Sequence, residues 1–121
     1  MQPFRLYATT GDAVAQLDSQ DGEAVLASLK LEGRGVMCVA VDSHDPRRIF
    51  AGTFDLGISR SLDGGDSWES VGPGMAEARV LSIIISPCDE VNGRSMVYAG
   101  IESSMLLRST ETAQPGSRHQ P

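Results

Sequence analysis

Ser61-Leu62-Asp63-Gly64-Gly65-Asp66-Ser67-Trp68 is the stretch from which the fold can be read. Its composition is that of a tight turn, with paired glycines among short polar residues. Asp63 can accept hydrogen bonds from backbone N–H groups of its own turn, as Asp does in Asx-type turns. Gly65 can adopt a positive φ at no steric cost. Ser61 supplies a short hydroxyl for local capping. Trp68 opens the segment that follows and can bury its ring beside the turn. On one side, Gly57-Ile58-Ser59-Arg60-Ser61 reads as a short strand. On the other, Trp68-Glu69-Ser70-Val71 alternates apolar and polar, and Gly72-Pro73-Gly74 ends it. The stretch is therefore the turn of a β-hairpin.

Working outward, the same pattern recurs. Val36-Met37-Cys38-Val39-Ala40-Val41 is an apolar run between turn clusters, and Arg48-Ile49-Phe50-Ala51-Gly52-Thr53 is another. With the hairpin they make four short antiparallel strands, one unit of a meander. The unit restarts downstream. Val80-Leu81-Ser82-Ile83-Ile84-Ile85-Ser86 resembles the first strand, and Ala99-Gly100 follows Ala51-Gly52 by 48 residues. Leu106-Leu107-Arg108-Ser109 repeats Ile58-Ser59-Arg60-Ser61 at the same spacing, and residues 89–94 read as an inserted loop. The unit also runs backward, because Arg5-Leu6-Tyr7-Ala8-Thr9-Thr10 precedes its counterpart by 43 residues. Residues 14–18 then fit a third strand and 23–31 a fourth. Residues 23–30 hold helix formers, but Gly22 and Gly33 bracket a span short for a helix, and the register asks for a strand.

Four-stranded units of this period are the signature of propeller blades. The expected fold is all-β, a partial β-propeller of about two and a half four-stranded antiparallel blades. It occupies residues 1–108, with blade pieces at about 4–32, 35–72 and 80–108. A second hairpin turn would fall at residues 109–116, where Glu111, Ala113 and Gly116 replace Asp, Gly and Trp. Residues 109–121 are accordingly expected to form a disordered tail.

The pattern S-x-D-x-G-x-x-W at residues 61–68 resembles the Asp-box of the BNR-repeat β-propellers. Val41-Asp42-Ser43-His44-Asp45-Pro46 with Ile49-Phe50-Ala51-Gly52-Thr53 is similar to the stretch that precedes Asp-boxes in bacterial members. The resemblance extends to YVTN/BNR-like repeat proteins, to propellers of photosystem II assembly-factor type and to sialidase-like propellers. It implies an N-terminal piece of a longer propeller. It also implies that Ser61, Asp63, Gly65 and Trp68 are structural, on the hairpin between a blade's third and fourth strands. The role so implied is a non-catalytic binding or assembly scaffold. The alternative is a truncated sialidase-like glycoside hydrolase lacking most of its active site. A sialidase site needs several arginines gripping a carboxylate, a Tyr–Glu pair and an acid/base Asp. Phe4-Arg5-Leu6 matches the start of the F/Y-R-I-P motif, but Tyr7 follows in place of Pro. Arg5 aligns with Arg48 as an ordinary pre-strand residue, and Tyr7 and Tyr98 fall at core-like positions. No catalytic residue is assigned.

Charge and composition narrow the remaining classes. The 16 acidic and 10 basic residues give a net charge of −6, against the clustered cations that phosphate backbones require. No apolar run approaches the roughly 18 residues of a membrane span, and the N-terminus lacks a secretory signal's apolar core. Cys38 and Cys88 are too few for a disulfide scaffold, which fits a cytoplasmic setting. Cys38 reads as a small hydrophobe in a buried strand. No metal site is assigned: His44 and His119 lie far apart in sequence, and the Asp63/Asp66 loop lacks the further oxygens calcium needs. No cofactor is assigned, since Gly33-Arg34-Gly35 lacks the third glycine and the helix of a nucleotide loop. The expected partner is a protein, or another copy of the chain, covering exposed blade faces.

Overall fold

Short alternating segments punctuated by Gly, Asp and Pro build antiparallel meanders, because each strand can bury only one row of side chains against a neighbour. The computed structural model describes residues 3–71, 79–91, 93–102, 105–109 and 117–119. Among these residues there are eleven strands and no helix. The first sheet is β1 (Arg5–Thr9), β2 (Val14–Gln20) and β3 (Glu23–Lys30). The second is β4 (Val36–Asp42), β5 (Asp45–Thr53), β6 (Ile58–Ser61) and β7 (Glu69–Val71). The third is β8 (Val80–Val91), β9 (Arg94–Ile101), β10 (Met105–Ser109) and β11 (Ser117–His119). Strands within each sheet lie in chain order and pair antiparallel. The chain is a partial β-propeller. Residues 23–30 are a strand, as the register requires and despite their helix formers.

The repeat seen in the sequence is a repeat of register. Tyr7 lies opposite Gln16, Phe50 opposite Arg60 and Tyr98 opposite Arg108. Gly52 faces Cys38 across β4–β5, and Gly100 faces Ser82 across β8–β9. In both cases the ladder slips just before that pair, so Met37 and Leu81 bulge at equivalent places.

Three expectations are corrected. The third sheet gains a fourth strand, because β11 pairs with β10 through Leu106–His119, Leu107–Arg118 and Arg108–Ser117. Residues 117–119 are thus not a disordered tail, and the strands number eleven, not ten. An edge strand needs only main-chain partners, so its polar side chains gave no apolar signal. The degenerate turn at residues 110–116 lies outside the described residues. Residues 89–94 are not a loop inserted between strands: β8 and β9 run on through Glu90–Ser95 and Val91–Arg94. The extra length is absorbed by a longer hairpin, turned beside Gly93 at φ 77°. Finally, β5 starts at Asp45, with Asp42 opposite it, rather than at Arg48.

Two apolar layers join the sheets. Val14, Val36 and Ala51 are fully buried between the first and second sheets, with Tyr7, Leu31 and Trp68 packed on them. Between the second and third sheets lie Phe50, Ile58, Val71, Val80, Ile85, Val97, Ala99 and Ile101. Gly52 sets the closeness of that second contact. A Cβ there would stand 2.5 Å from Cys38 Sγ and 2.6 Å from Val80 Cγ1. Among the described residues no helix is long and apolar enough to cross a membrane.

Candidate functional site

The turn joining β6 to β7 closes on itself. The Ser61 hydroxyl donates to Asp63 Oδ1 at 2.8 Å and accepts from the Gly65 N–H at 2.8 Å. Asp63 Oδ1 also accepts from the Ser67 N–H at 2.9 Å, and Oδ2 accepts from the Ser67 hydroxyl. The Ser67 hydroxyl bond, then the Ser67 N–H and the Ser61 hydroxyl, hold the Asp63 carboxyl down at about 2. Gly65 sits at φ 96°, a region that disfavours any side chain. The Trp68 indole N–H donates to the Gly65 carbonyl at 3.0 Å, which fixes the half-buried ring beside the turn. Ser61, Asp63, Gly65 and Trp68 are thus brought together as the sequence pattern requires.

The same turn is also a joint between sheets, which the sequence reading did not anticipate. The Tyr7 hydroxyl, from β1, donates to the Gly64 carbonyl at 2.8 Å, and Arg5 Nη1 reaches the same oxygen at 3.3 Å. The Gly64 N–H donates to the Arg47 carbonyl at 3.0 Å. A Cβ at Gly65 would lie 3.3 Å from both Tyr7 Cε1 and Gln16 Oε1, so the first sheet sits directly on the turn. Gly65 is needed for this approach as well as for its φ.

Residues that could suggest catalysis or ligand binding already have structural partners. Arg5 grips Asp18 through Nε at 2.7 Å and Nη2 at 3.3 Å. Tyr98 lies across the second sheet from Tyr7, half-buried on β9 opposite Ile84. An open cleft of about 450 Å³ between the first two sheets is lined by Arg5, Tyr7, Val41, Pro46, Arg47 and Gly64. Both of its guanidinium groups hold carboxylates, Arg5 on Asp18 and Arg47 on Asp45. A substrate carboxylate would have to displace them. Both Asp63 oxygens are taken by serines, so the loop is a poor calcium cradle. Among the described residues no cluster of three His, Cys, Asp or Glu could hold a metal ion. The His44 ring contacts the Pro87 carbonyl at 2.8 Å, and the side chain of His119 lies outside the described residues. Cys38 and Cys88 are free thiols, and burial raises the Cys38 pKa.

A buried ion pair was missed altogether. Arg48 and Asp42, at 3% and 4% side-chain exposure, pair at 2.9 Å. Arg48 also donates to the Ser95 carbonyl at 3.1 Å, and the Ser95 hydroxyl reaches Asp42 Oδ1 at 3.3 Å. The network therefore joins the second sheet to the third. Burial pushes the Asp42 carboxyl up, but bonds from the His44 N–H, Arg48 and Ser95 outweigh it and leave the pKa lowered. The available signal was an Asp at the end of one apolar run and an Arg six residues on, at the start of the next apolar run.

No protein family and no curated protein matches the chain. Solved structures do resemble it in fold. The GH74 enzyme of Niastella koreensis superposes with a TM-score of 0.60 at 20% identity, over 98% of this chain and 20% of that one. The GH74 xyloglucanase of Xanthomonas campestris superposes with a TM-score of 0.56 at 22% identity, over 98% of this chain and 21% of that one. A NanB sialidase variant of Streptococcus pneumoniae gives 0.44 at 16% identity, over 93% of this chain and 20% of that one. These are β-propeller enzymes, and the chain spans about a fifth of their length.

Proposed function

We propose that the chain is a BNR/Asp-box propeller piece that acts as a non-catalytic binding or assembly scaffold, in the manner of YVTN/BNR-like repeat proteins. The observation that carries this reading is the closure of the Asp-box. Asp63 is bonded to Ser61 and Ser67, and the Gly64 carbonyl is held by Tyr7 and Arg5. The polar groups that could serve chemistry hold sheets together instead. Free thiols at Cys38 and Cys88 fit a reducing, cytoplasmic compartment.

The binding surface in this reading is the side where β4 and β8 run next to each other, the first strands of their sheets. There the matched bulges expose Met37 to 50% and Leu81 to 60%. Exposed apolar side chains at repeated positions are a docking feature, not a catalytic one. Reciprocal recovery of one defined protein partner, lost with Met37→Asp and Leu81→Asp and kept with Arg5→Ala, tests the proposal. Partner retention by both Asp variants would refute this surface.

The second reading is a piece of a glycoside hydrolase, favoured by the fold likeness to GH74 enzymes. It expects the purified chain to cleave a fluorogenic sialoside or a xyloglucan oligosaccharide. Turnover abolished by Arg5→Ala would replace the scaffold reading, and turnover no greater than a blank would retire the enzyme.

A further inference from the structure

The two joints between sheets are held differently. The second and third sheets share the larger apolar layer, and polar groups also cross between them. Arg48 reaches the Ser95 carbonyl, the Ser95 hydroxyl reaches Asp42, and the His44 ring contacts the Pro87 carbonyl. Between the first and second sheets, the buried apolar residues among those described are Val14, Val36 and Ala51. The polar links of this joint lie at its two ends. At one end Tyr7 and Arg5 hold the Gly64 carbonyl. At the other, the Gly35 N–H donates to the Asp12 carbonyl at 3.0 Å and the Gly33 N–H to Asp12 Oδ2 at 3.1 Å. Strand β1 runs from the first end, at Arg5, to the second, at Thr9.

Two features oppose closure of the joint. Tyr7, Gln16 and Ser28 form one cross-strand row. Gln16 is 6% exposed and faces the Asp-box turn, since a Cβ at Gly65 would lie 3.3 Å from its Oε1. Gln16 Oε1 and Ser28 Oγ are shut off from solvent and have no hydrogen-bond partner among the described residues. Each raises the free energy of the closed joint and regains water when it opens. The second feature is the connector from β3 to β4. Leu31 has a φ of 56°, a left-handed conformation that a bulky side chain rarely adopts, and Gly33 and Gly35 follow at 79° and 65°. Leu31 holds that angle while its side chain packs on the layer of Val14, Val36 and Ala51. Release of the first sheet frees Leu31 to return to an ordinary φ.

We infer that the first sheet is a separately opening unit, hinged at residues 31–35 and latched at Gly64, which leaves the Asp-box turn while the second and third sheets stay joined. Once detached, three short strands have no packed layer to sustain their ladders, so β1, β2 and β3 lose protection together. Opening uncovers Val36, Ala51 and Trp68, so the apolar layer beside the Asp-box becomes reachable without unfolding of the whole chain.

Hydrogen exchange of the full chain under native conditions tests it, read at the central strands β2, β5 and β9 and taken relative to intrinsic rates. In the parent, β2 amides are expected to share one protection factor, lower than those of β5 and β9, and to depend less on urea, because less surface is exposed in the opening. Val97→Ala truncates a side chain of the second joint, present in both the closed and the opened forms. It should lower protection in β5 and β9 by roughly tenfold or more and leave β2 unchanged. Tyr7→Phe should lower β2 protection roughly fivefold, the factor that one neutral hydrogen bond supplies. Equal protection and equal urea dependence in the three strands would overturn the separate opening, and so would an equal loss in β2 and β9 with Val97→Ala. Unchanged β2 protection in Tyr7→Phe would overturn the latch at Gly64.

Discussion

The Tyr7 hydroxyl donates to the Gly64 carbonyl at 2.8 Å, joining the first sheet to the turn of the second across 57 residues of chain. The turn is thus a latch between blades as well as a hairpin end. Tyr7→Phe keeps the ring and removes the hydrogen bond. The expected loss is about 1 kcal/mol, the net contribution of a neutral hydrogen bond. Urea unfolding followed by Trp68 fluorescence reads it, because Trp68 packs on the same layer. A midpoint equal to the parent's would show that the latch is held by packing alone.

Asp63 gives the turn an acid dependence. Its folded pKa is held at about 2, below the ordinary 3.8. A depressed carboxylate contributes stability that is present above the unfolded value and lost as pH falls toward the folded one. The parent's thermal midpoint should therefore fall more steeply between pH 3.8 and 2 than that of Asp63→Asn. At neutral pH, Asp63→Ala should lower the midpoint by about 5 °C, through unpaired turn donors. Parallel acid curves for parent and Asp63→Asn would sever the link between this carboxylate and the fold.

The strands were legible because short apolar runs bounded by turn residues, at 36–41 and 80–86, are too short for helices, and because 68–71 alternates apolar and polar as a half-buried strand does. The turn was legible because Ser61, Asp63 and Gly65 act locally, within a few residues. What the sequence hid is what joins sheet to sheet. Tyr7 and Gly64, or Arg48 and Ser95, meet only through the stacking of sheets, and their separation in sequence carries no period. The strand β11 was hidden for another reason, since its polar residues pair by main chain alone.

Arg48 and Asp42 form a buried pair whose loss leaves an uncompensated charge. Arg48→Met is expected to destabilise by about 3 kcal/mol, since removing one partner of a buried pair strands the other. Asp42→Asn should cost a similar amount, and the double variant less than the sum. Chemical unfolding of the four species in a double-mutant cycle measures this. An additive cycle would contradict direct coupling of the two residues.

Gly52 lets the second and third sheets approach. Gly52→Ala places a methyl group 2.5 Å from Cys38 Sγ and 2.6 Å from Val80 Cγ1. Overpacking of this kind costs about 1–3 kcal/mol. Gly93→Ala is the comparison in open space, where nothing lies within 4 Å and only the φ of 77° opposes the substitution. Thermal unfolding of both variants separates crowding from backbone strain. A change no larger at Gly52 than at Gly93 would show that the sheets part to admit the methyl.

His44 extends the pH dependence to the neutral side. Its ring lies 2.8 Å from the Pro87 carbonyl on β8, an acceptor that stabilises the protonated ring. That bond raises the pKa above 6.5, burial opposes it, and the charges of Glu90 and Asp42 add to it. A raised histidine contributes stability that is full below the unfolded value and lost as pH rises through the folded one. The parent should therefore lose thermal stability relative to His44→Gln as pH rises from 6.5 toward alkaline values. The contact ties the β4–β5 turn to the long β8 strand, so the loss should appear in the joint between the second and third sheets. Protection of β8 amides from hydrogen exchange, taken relative to the intrinsic rate at each pH, should fall over the same range in the parent and stay constant in His44→Gln. An opposite slope would place the proton elsewhere and remove His44 from that joint.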